Sequence, residues 1–356
     1  MLPMDLDTPA LVVDADRMET NLARMAALAE ATGIELLPHA KTHKCVPIAR
    51  RQLAHGARGL TVATLEEAEL FADCGCERLF IAHPLWAGGG RAARLRKLHE
   101  RLNLRVGVDS RPGAECLAAA VRGTDRPLEV LIEIDCGGRR SGVRPDQVAE
   151  LAAHVLLMGL DLRGAFSHPG HAYATPDAVP AAAADERTAR AAAAAELAPL
   201  IGAAPVLSGG STPTALDGLA VPLTEVRPGT YVFGDRQQLT LSGIWVEEVA
   251  LVVAARVVSA PRPMEVVLDA GSKALSSDRP AWLRGHGRVL EAPEATVESL
   301  TEEHAIVRGL SSGSSLAVGD LVRVIPNHVC TVVNLAREIT VVSGGEVVDC
   351  WPVGAR

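Results

Sequence analysis

A lysine at the end of an apolar run can carry imine chemistry, and Lys41 holds such a place in Pro38-His39-Ala40-Lys41-Thr42-His43-Lys44. An amine reacts with a carbonyl in its uncharged form, which cationic neighbours and loss of water favour. His39, His43 and Lys44 are the neighbours at hand, and spacing alone leaves Lys44 as a second candidate. Ser208-Gly209-Gly210-Ser211-Thr212 combines two glycines with three hydroxyl residues before a helix start. Such a turn presents N–H and hydroxyl groups to an anion and suits a phosphate. In Pro326-Asn327-His328-Val329-Cys330, an extended backbone would set His328 and Cys330 on one face, able to grip one ion. Taken alone the pair reads as structural, as does Cys74-Gly75-Cys76.

These residues need elements to position them. Between 34 and 229, short apolar runs alternate with stretches of helical length, the signature of successive βα units. Candidate strands fall at 34–39, 60–63, 79–82, 104–108, 128–134, 160–166, 205–207 and 224–226. Eight such units make an α/β fold of the (β/α)8 TIM barrel class. After about Leu241 the pattern changes to β-branched runs broken by Gly, Pro and Ser, so a C-terminal all-β domain is expected. We place the barrel at 15–238 and the β domain at 239–356, with 1–14 joining the latter through Ala10-Leu11-Val12-Val13-Asp14.

In a barrel of this class, chemistry gathers where strands end. The first expected strand runs into Lys41, the third into His83, the fourth into Asp109, and the fifth into Asp135 and Arg140. The sixth leads to His168, His171 and Tyr173, the seventh to Ser208–Thr212, and the eighth to Gly229-Thr230-Tyr231. Phosphate sites in such barrels form after the last two strands, so Gly229 and Thr230 complete the cradle that Lys41 would face across the mouth.

Composition narrows the function class. A net charge of −8 without a clustered Lys/Arg stripe gives no footprint for nucleic acid or an acidic membrane surface, so small-molecule chemistry is expected. The start, Met1 to Asp7, is acidic where a signal peptide would be basic, and no apolar run reaches a membrane span. Seven scattered cysteines suit a reducing compartment, and the cytoplasm is the expected location.

The chain resembles the fold-type III pyridoxal-phosphate enzymes, the alanine racemase fold, and within them the branch of D-serine dehydratase, D-threo-3-hydroxyaspartate dehydratase and D-threonine aldolase. The resemblance covers nearly the whole chain. Thr8-Pro9-Ala10-Leu11-Val12-Val13-Asp14 is similar to the family's opening, and His39-Ala40-Lys41-Thr42-His43-Lys44 matches its HxKTHK motif. That match implies that Lys41 carries pyridoxal 5′-phosphate. Asp135-Cys136-Gly137-Gly138-Arg139-Arg140-Ser141-Gly142 is similar to a DxGxxRxG pattern whose arginine contacts the cofactor's phenolic oxygen, which implies that role for Arg140. The family's YxHxGHxY stretch appears as Phe166-Ser167-His168-Pro169-Gly170-His171-Ala172-Tyr173, with Phe166 as a departure that lacks a hydroxyl. The resemblance implies cofactor contacts for His168, His171 and Tyr173. It also implies phosphate-binding loops at Ser208, Gly209, Gly210 and Thr212, and at Gly229, Thr230 and Tyr231.

His328 and Cys330 match the PNHxC motif with which D-serine dehydratases are implied to bind zinc, leaving open positions on the metal. The soft thiolate favours zinc; a carboxylate there, associated by the resemblance with D-threonine aldolases, would favour manganese or magnesium. The expected activity is therefore a lyase on D-3-hydroxy amino acids, a dehydratase giving a 2-oxo acid and ammonia, with the glycine-releasing aldolase as alternative. A racemase fits less well, because Tyr173 and Tyr231 both precede the β domain. A non-enzymatic cofactor-binding barrel is opposed by the extra β domain. The family also implies a homodimer.

Overall fold

The computed structural model describes residues 6–219 and 222–355; of the expected start, Met1 to Asp5 lie outside them. Strand β1 (Ala10–Asp14) enters first. Asp14 then caps the helix Ala15–Thr32 by accepting from Arg17 N (3.1 Å), and Gly33 ends that helix at φ 68°, a conformation glycine adopts without strain.

Eight parallel strands follow, each placed where an apolar run is flanked by a helix: β2 (Glu35–Leu36), β3 (Leu60–Val62), β4 (Arg78–Pro84), β5 (Asn103–Val108), β6 (Glu129–Glu133), β7 (Asp161–Phe166), β8 (Val206–Gly209) and β9 (Glu225–Val226). They pair in the order β2-β9-β8-β7-β6-β5-β4-β3. The ring closes between β2 and β3, where Arg58 N donates to Leu36 O (2.9 Å), Thr61 N donates to Pro38 O (2.9 Å) and His39 bridges Thr61. The first expected strand is thus a two-residue strand plus a bridge, because Pro38 has no N–H to continue the ladder.

Inside the ring, Phe80 meets Phe166 edge to face at 5.1 Å, and Leu131 packs with them. Each ring so buried stabilises the fold by about 1.5–3 kcal/mol. At the strand starts, opposite the expected chemistry, Glu225 joins Arg105 (2.8 Å) and Arg78 (2.6 Å) in a largely buried ionic plug.

The β-rich part comprises β10 (Leu251–Arg262), β11 (Glu265–Leu268), β12 (Gly287–Val289), β13 (Thr296–Leu300), β14 (Ala305–Arg308), β15 (Leu321–Pro326), β16 (Glu338–Ser343) and β17 (Glu346–Pro352). Its sheet runs β13-β14-β11-β10-β1-β16-β17, with β15 joining β10 to β12. β1 is inserted between β10 (antiparallel) and β16 (parallel), so the chain's first strand belongs to the same sheet as its last. Before this sheet, Val246–Glu248 is a 3₁₀ turn, and β10 begins at Leu251.

Candidate active site

A cavity of about 530 Å³ opens at the strand ends of the barrel, between it and the β-rich part. Lys41 lines it from the 3₁₀ turn Ala40–Thr42 directly after the β2 bridge. Lys44 does not. Its φ of 47° turns the side chain away, where Nζ donates to Asn334 Oδ1 (2.7 Å) and Ala355 O (3.1 Å) and lies 3.6 Å from Glu67. His43 is fully buried, accepting at Nδ1 from Cys45 N (3.1 Å) and bonded at Nε2 to Gln52 (3.1 Å). Geometry therefore separates two lysines that spacing could not, and it leaves His39 as the motif histidine at the cavity.

His39 and His168 line the cavity beside Lys41. Burial, then the charge of Lys41, holds His39 well below the ordinary imidazole value and His168 down to about 3. Both are neutral rings at neutral pH, able to donate from one nitrogen and accept at the other. Tyr173 also lines the cavity, its phenol pushed up by burial and then by Asp235 and Cys330. Arg140 reaches the wall from a loop that Asp135 and Asp109 hold: Asp135 Oδ1 accepts from Gly137 N (2.9 Å) and Arg139 N (3.0 Å), and Asp109 Oδ2 from Gly142 N (3.2 Å).

Gly210, Ser211, Thr212, Gly229 and Thr230 also line the cavity. Thr230 Oγ1 is buried with no partner, and His39 Nδ1 is likewise unpartnered. A buried hydroxyl costs free energy unless something fills its valence. A Cβ on Gly229 would stand 2.5 Å from Thr42 Oγ1, so only glycine lets the β9 loop pass this close to the lysine turn. Gly210, at φ 79°, donates its N–H to Glu186 Oε1 (2.9 Å), which also accepts from Ser167 Oγ (2.7 Å). These unfilled polar groups, close backbone approaches and facing amine fit a phosphorylated aldehyde cofactor.

Ser208, Gly209, His171 and Tyr231 stand outside the cavity wall. Ser208 Oγ accepts from Arg227 (2.7 Å). Gly209 packs where a Cβ would overlap Arg190 and Glu186. His171 sits 3.4 Å from Asp185, and Tyr231 accepts from Gln52 Nε2 (3.1 Å) while its N–H donates to Thr212 Oγ1 (3.1 Å). Phe166 also points away, into the barrel interior, with the Arg227 guanidinium 5.5 Å from its ring.

His328 and Cys330 are brought together, but not on an extended segment. His328 is extended (φ −139°, ψ 111°), whereas Cys330 lies in the first turn of the helix Val329–Leu335. Asp235 causes the change, because its buried Oδ2 accepts from Val329 N (3.0 Å) at the helix start and lies 3.3 Å from His328 Nδ1. Both side chains line the cavity, and Cys330 Sγ meets Thr42 Oγ1 at 3.3 Å, next to Lys41. Against burial, His328 is held up by the Cys330 thiolate and Asp235, and Cys330 is held down by His328. An imidazole and a thiolate, the imidazole oriented by a carboxylate, are a donor set suited to a divalent metal. Among the described residues no cluster of three or more His, Cys, Asp or Glu is placed to hold a metal, so protein ligation there would stop at two groups.

Sequence reading missed Asp235, Arg227 and Gln237. Arg227 is buried at the cavity floor and donates to Ser208 Oγ and Ser167 O; its signal was a charge ending an apolar strand. Asp235 lies 93 residues from its partner, and no local pattern links them.

The model of "Alanine racemase, N-terminal domain" matches residues 13–237, and that of "Putative serine dehydratase domain" matches 250–342. D-threo-3-hydroxyaspartate dehydratase from Delftia sp. (strain HT23) is 36% identical over 350 residues, 92% of each chain. The chain belongs to this alanine racemase-like family. Within the family, D-threonine aldolase from Arthrobacter sp is 32% identical over 358 residues, covering 99% of this chain and 93% of that one. The solved structure of a D-threo-3-hydroxyaspartate dehydratase mutant in a metal-free form superposes with a TM-score of 0.90 at 34% identity, covering 98% of both chains. Family membership accounts for the barrel and the mixed sheet together. Among the described residues no helix is long and apolar enough to cross a membrane.

Proposed function

We propose that the chain is a pyridoxal-phosphate- and metal-dependent lyase acting on D-3-hydroxy amino acids, a dehydratase that releases ammonia and a 2-oxo acid. One observation carries the reading: Cys330 Sγ reaches Thr42 Oγ1 at 3.3 Å, so the His328–Cys330 pair and Lys41 share one cavity. The named relatives are a dehydratase and an aldolase of D-3-hydroxy amino acids.

Bound pyridoxal phosphate supplies a sink for negative charge developing at Cα. Lys41 Nζ is the amine that tethers the cofactor and, once freed, takes the Cα proton. Gly229, Thr230 and the Thr212 hydroxyl would hold the phosphate, Gly210 lines the pocket beside them, and Arg140, His168 and Tyr173 would flank the ring. Ser208, Gly209 and Tyr231 support that cradle from behind, and His171 supports the loop bearing His168. His328 and Cys330 hold a divalent metal, which supplies Lewis-acid polarisation of the 3-hydroxyl. Asp235 fixes the His328 tautomer.

The thiol of Cys330 favours zinc over manganese or magnesium and favours C–O cleavage. Aldol cleavage is the second reading, supported by the aldolase relative. We assign the barrel to 15–238 and the metal pair to the remainder, and we take the enzyme to be a cytoplasmic homodimer, in keeping with its seven free cysteines.

The test is to load the purified protein with cofactor and zinc, supply D-serine, D-threonine and D-threo-3-hydroxyaspartate, and assay ammonia, 2-oxo acid and glycine separately. Ammonia and 2-oxo acid in equal amounts support dehydration. Glycine with an aldehyde and no ammonia establishes the aldolase instead.

A further inference from the structure

His43 and Gln52 take no part in the chemistry proposed above, yet both are buried beside it. His43 stands two residues after Lys41, at the close of the 3₁₀ turn Ala40–Thr42, and Gln52 lies in the helix Val46–Ala54 that follows. The Cys45 N–H can only donate, and it donates to His43 Nδ1 (3.1 Å). Burial lowers this imidazole to about 4, so the ring is neutral at neutral pH and its one proton sits on Nε2. Nε2 donates to Gln52 Oε1 (3.1 Å), which turns the amide N–H toward the Tyr231 hydroxyl oxygen (3.1 Å). Burial pushes the Tyr231 phenol up, so it keeps its proton. One donor whose sense cannot reverse thus sets the direction of three successive hydrogen bonds.

The relay ends at the cavity. Tyr231 is the middle residue of the 3₁₀ turn Thr230–Val232, and its own N–H donates to Thr212 Oγ1 (3.1 Å). Thr212 and Thr230 both line the cavity, and Thr230 Oγ1 is buried without a partner. Because the Thr212 oxygen accepts from Tyr231, its hydrogen is left to be donated. Tyr231 is therefore tied through its ring to the lysine turn and through its backbone to both hydroxyls. Apolar side chains of the same volume would fill this space without taking an imidazole, an amide and a phenol out of water. What a satisfied polar relay adds is a single arrangement of the elements it joins.

We infer that His43 and Gln52 are positioning residues: acting through Tyr231, they fix the Thr212 and Thr230 hydroxyls relative to Lys41, so that the phosphate and the aldehyde of one cofactor are met together. The inference rests on the cofactor site proposed above. It assigns part of the phosphate affinity to side chains that do not reach the cavity.

The experiment titrates the full chain, stripped of cofactor, with pyridoxal 5′-phosphate and with pyridoxal, which offers Lys41 the same aldehyde without a phosphate, and follows the visible band. The variants are Gln52→Leu, Tyr231→Phe and the two together. Tyr231→Phe removes a single oxygen and keeps the ring, so it reports even if Gln52→Leu does not fold. Each should weaken pyridoxal 5′-phosphate about ten-fold and leave pyridoxal unchanged, because a broken relay leaves a buried partner unsatisfied. The double variant should lose no more than the larger single loss, as members of one chain do. Equal weakening of both aldehydes, or additive losses, would give the relay a purely structural role and overturn the inference, as would native affinities throughout. If the native protein gives no band with either aldehyde, the proposed function fails, and calorimetry with inorganic phosphate decides the inference by itself. Phosphate binding that Tyr231→Phe weakens supports it; equal or absent binding overturns it.

Discussion

Lys44 Nζ donates to Asn334 Oδ1 at 2.7 Å, so the turn that carries Lys41 is fastened to the last turn of the helix that carries Cys330. Thr42 meets Cys330 at the first turn of the same helix. Two contacts thus set the lysine turn against the helix that bears Cys330. Lys44→Met removes a charge-assisted hydrogen bond and should cost about 1.5–3 kcal/mol of stability in denaturant titration. It should leave the cofactor's band in place while lowering kcat. An unaltered kcat would show that the fastening has no part in catalysis.

Lys41→Ala should abolish both lyase activity and the visible band of the bound cofactor. Borohydride followed by peptide mapping of the native protein should mark Lys41. A mark on Lys44 instead would reverse the assignment.

Asp235→Asn keeps the side-chain volume but weakens the hold on His328 Nδ1. Partners of this kind govern metal affinity, so zinc binding should weaken about 10- to 100-fold in a chelator competition. Equal affinities would remove Asp235 from the metal site.

Gly229→Ala places a Cβ 2.5 Å from Thr42 Oγ1. Relieving that overlap pushes the β9 loop away from the lysine turn at a cost of about 1–3 kcal/mol. Pyridoxal-phosphate affinity should fall with it, measured by fluorescence titration. A variant with native stability and affinity would show that the loop has room to yield.

His43 gives a pH dependence away from the site. Burial lowers its imidazole from 6.5 to about 4 in the folded protein. Between those values the unfolded chain binds more protons, so the stability this group contributes is complete above about pH 6.5 and falls as pH drops toward 4. The loss is on the order of 3 kcal/mol. His43→Gln, which does not titrate, should flatten that part of the stability–pH curve; an unchanged slope would place the titration elsewhere.

Barrel strands, helices and the β-rich part were legible because each is a local pattern: apolar runs of strand length, helical stretches between them, then β-branched runs. Lys41, the glycine turns and the His-x-Cys pair were legible as types at fixed spacing. Other features lay outside any local signal. Lys41 and Lys44 are three residues apart and equivalent in composition, and only the φ of 47° at Lys44 with its bond to Asn334 sends them to different places. The segment around His328 reads as extended from β15, yet Asp235 draws Val329 into a helix from 93 residues away.

The chain's own residues determined which groups exist and which short element bears each, since propensity and hydrophobic period act over a few neighbours. Tertiary structure decided which groups meet. Closing the ring at His39–Thr61 and inserting β1 between β10 and β16 fold both ends of the chain onto one cavity. A thiol at 330 thereby reaches the turn of a lysine at 41, a juxtaposition made by packing across 288 residues.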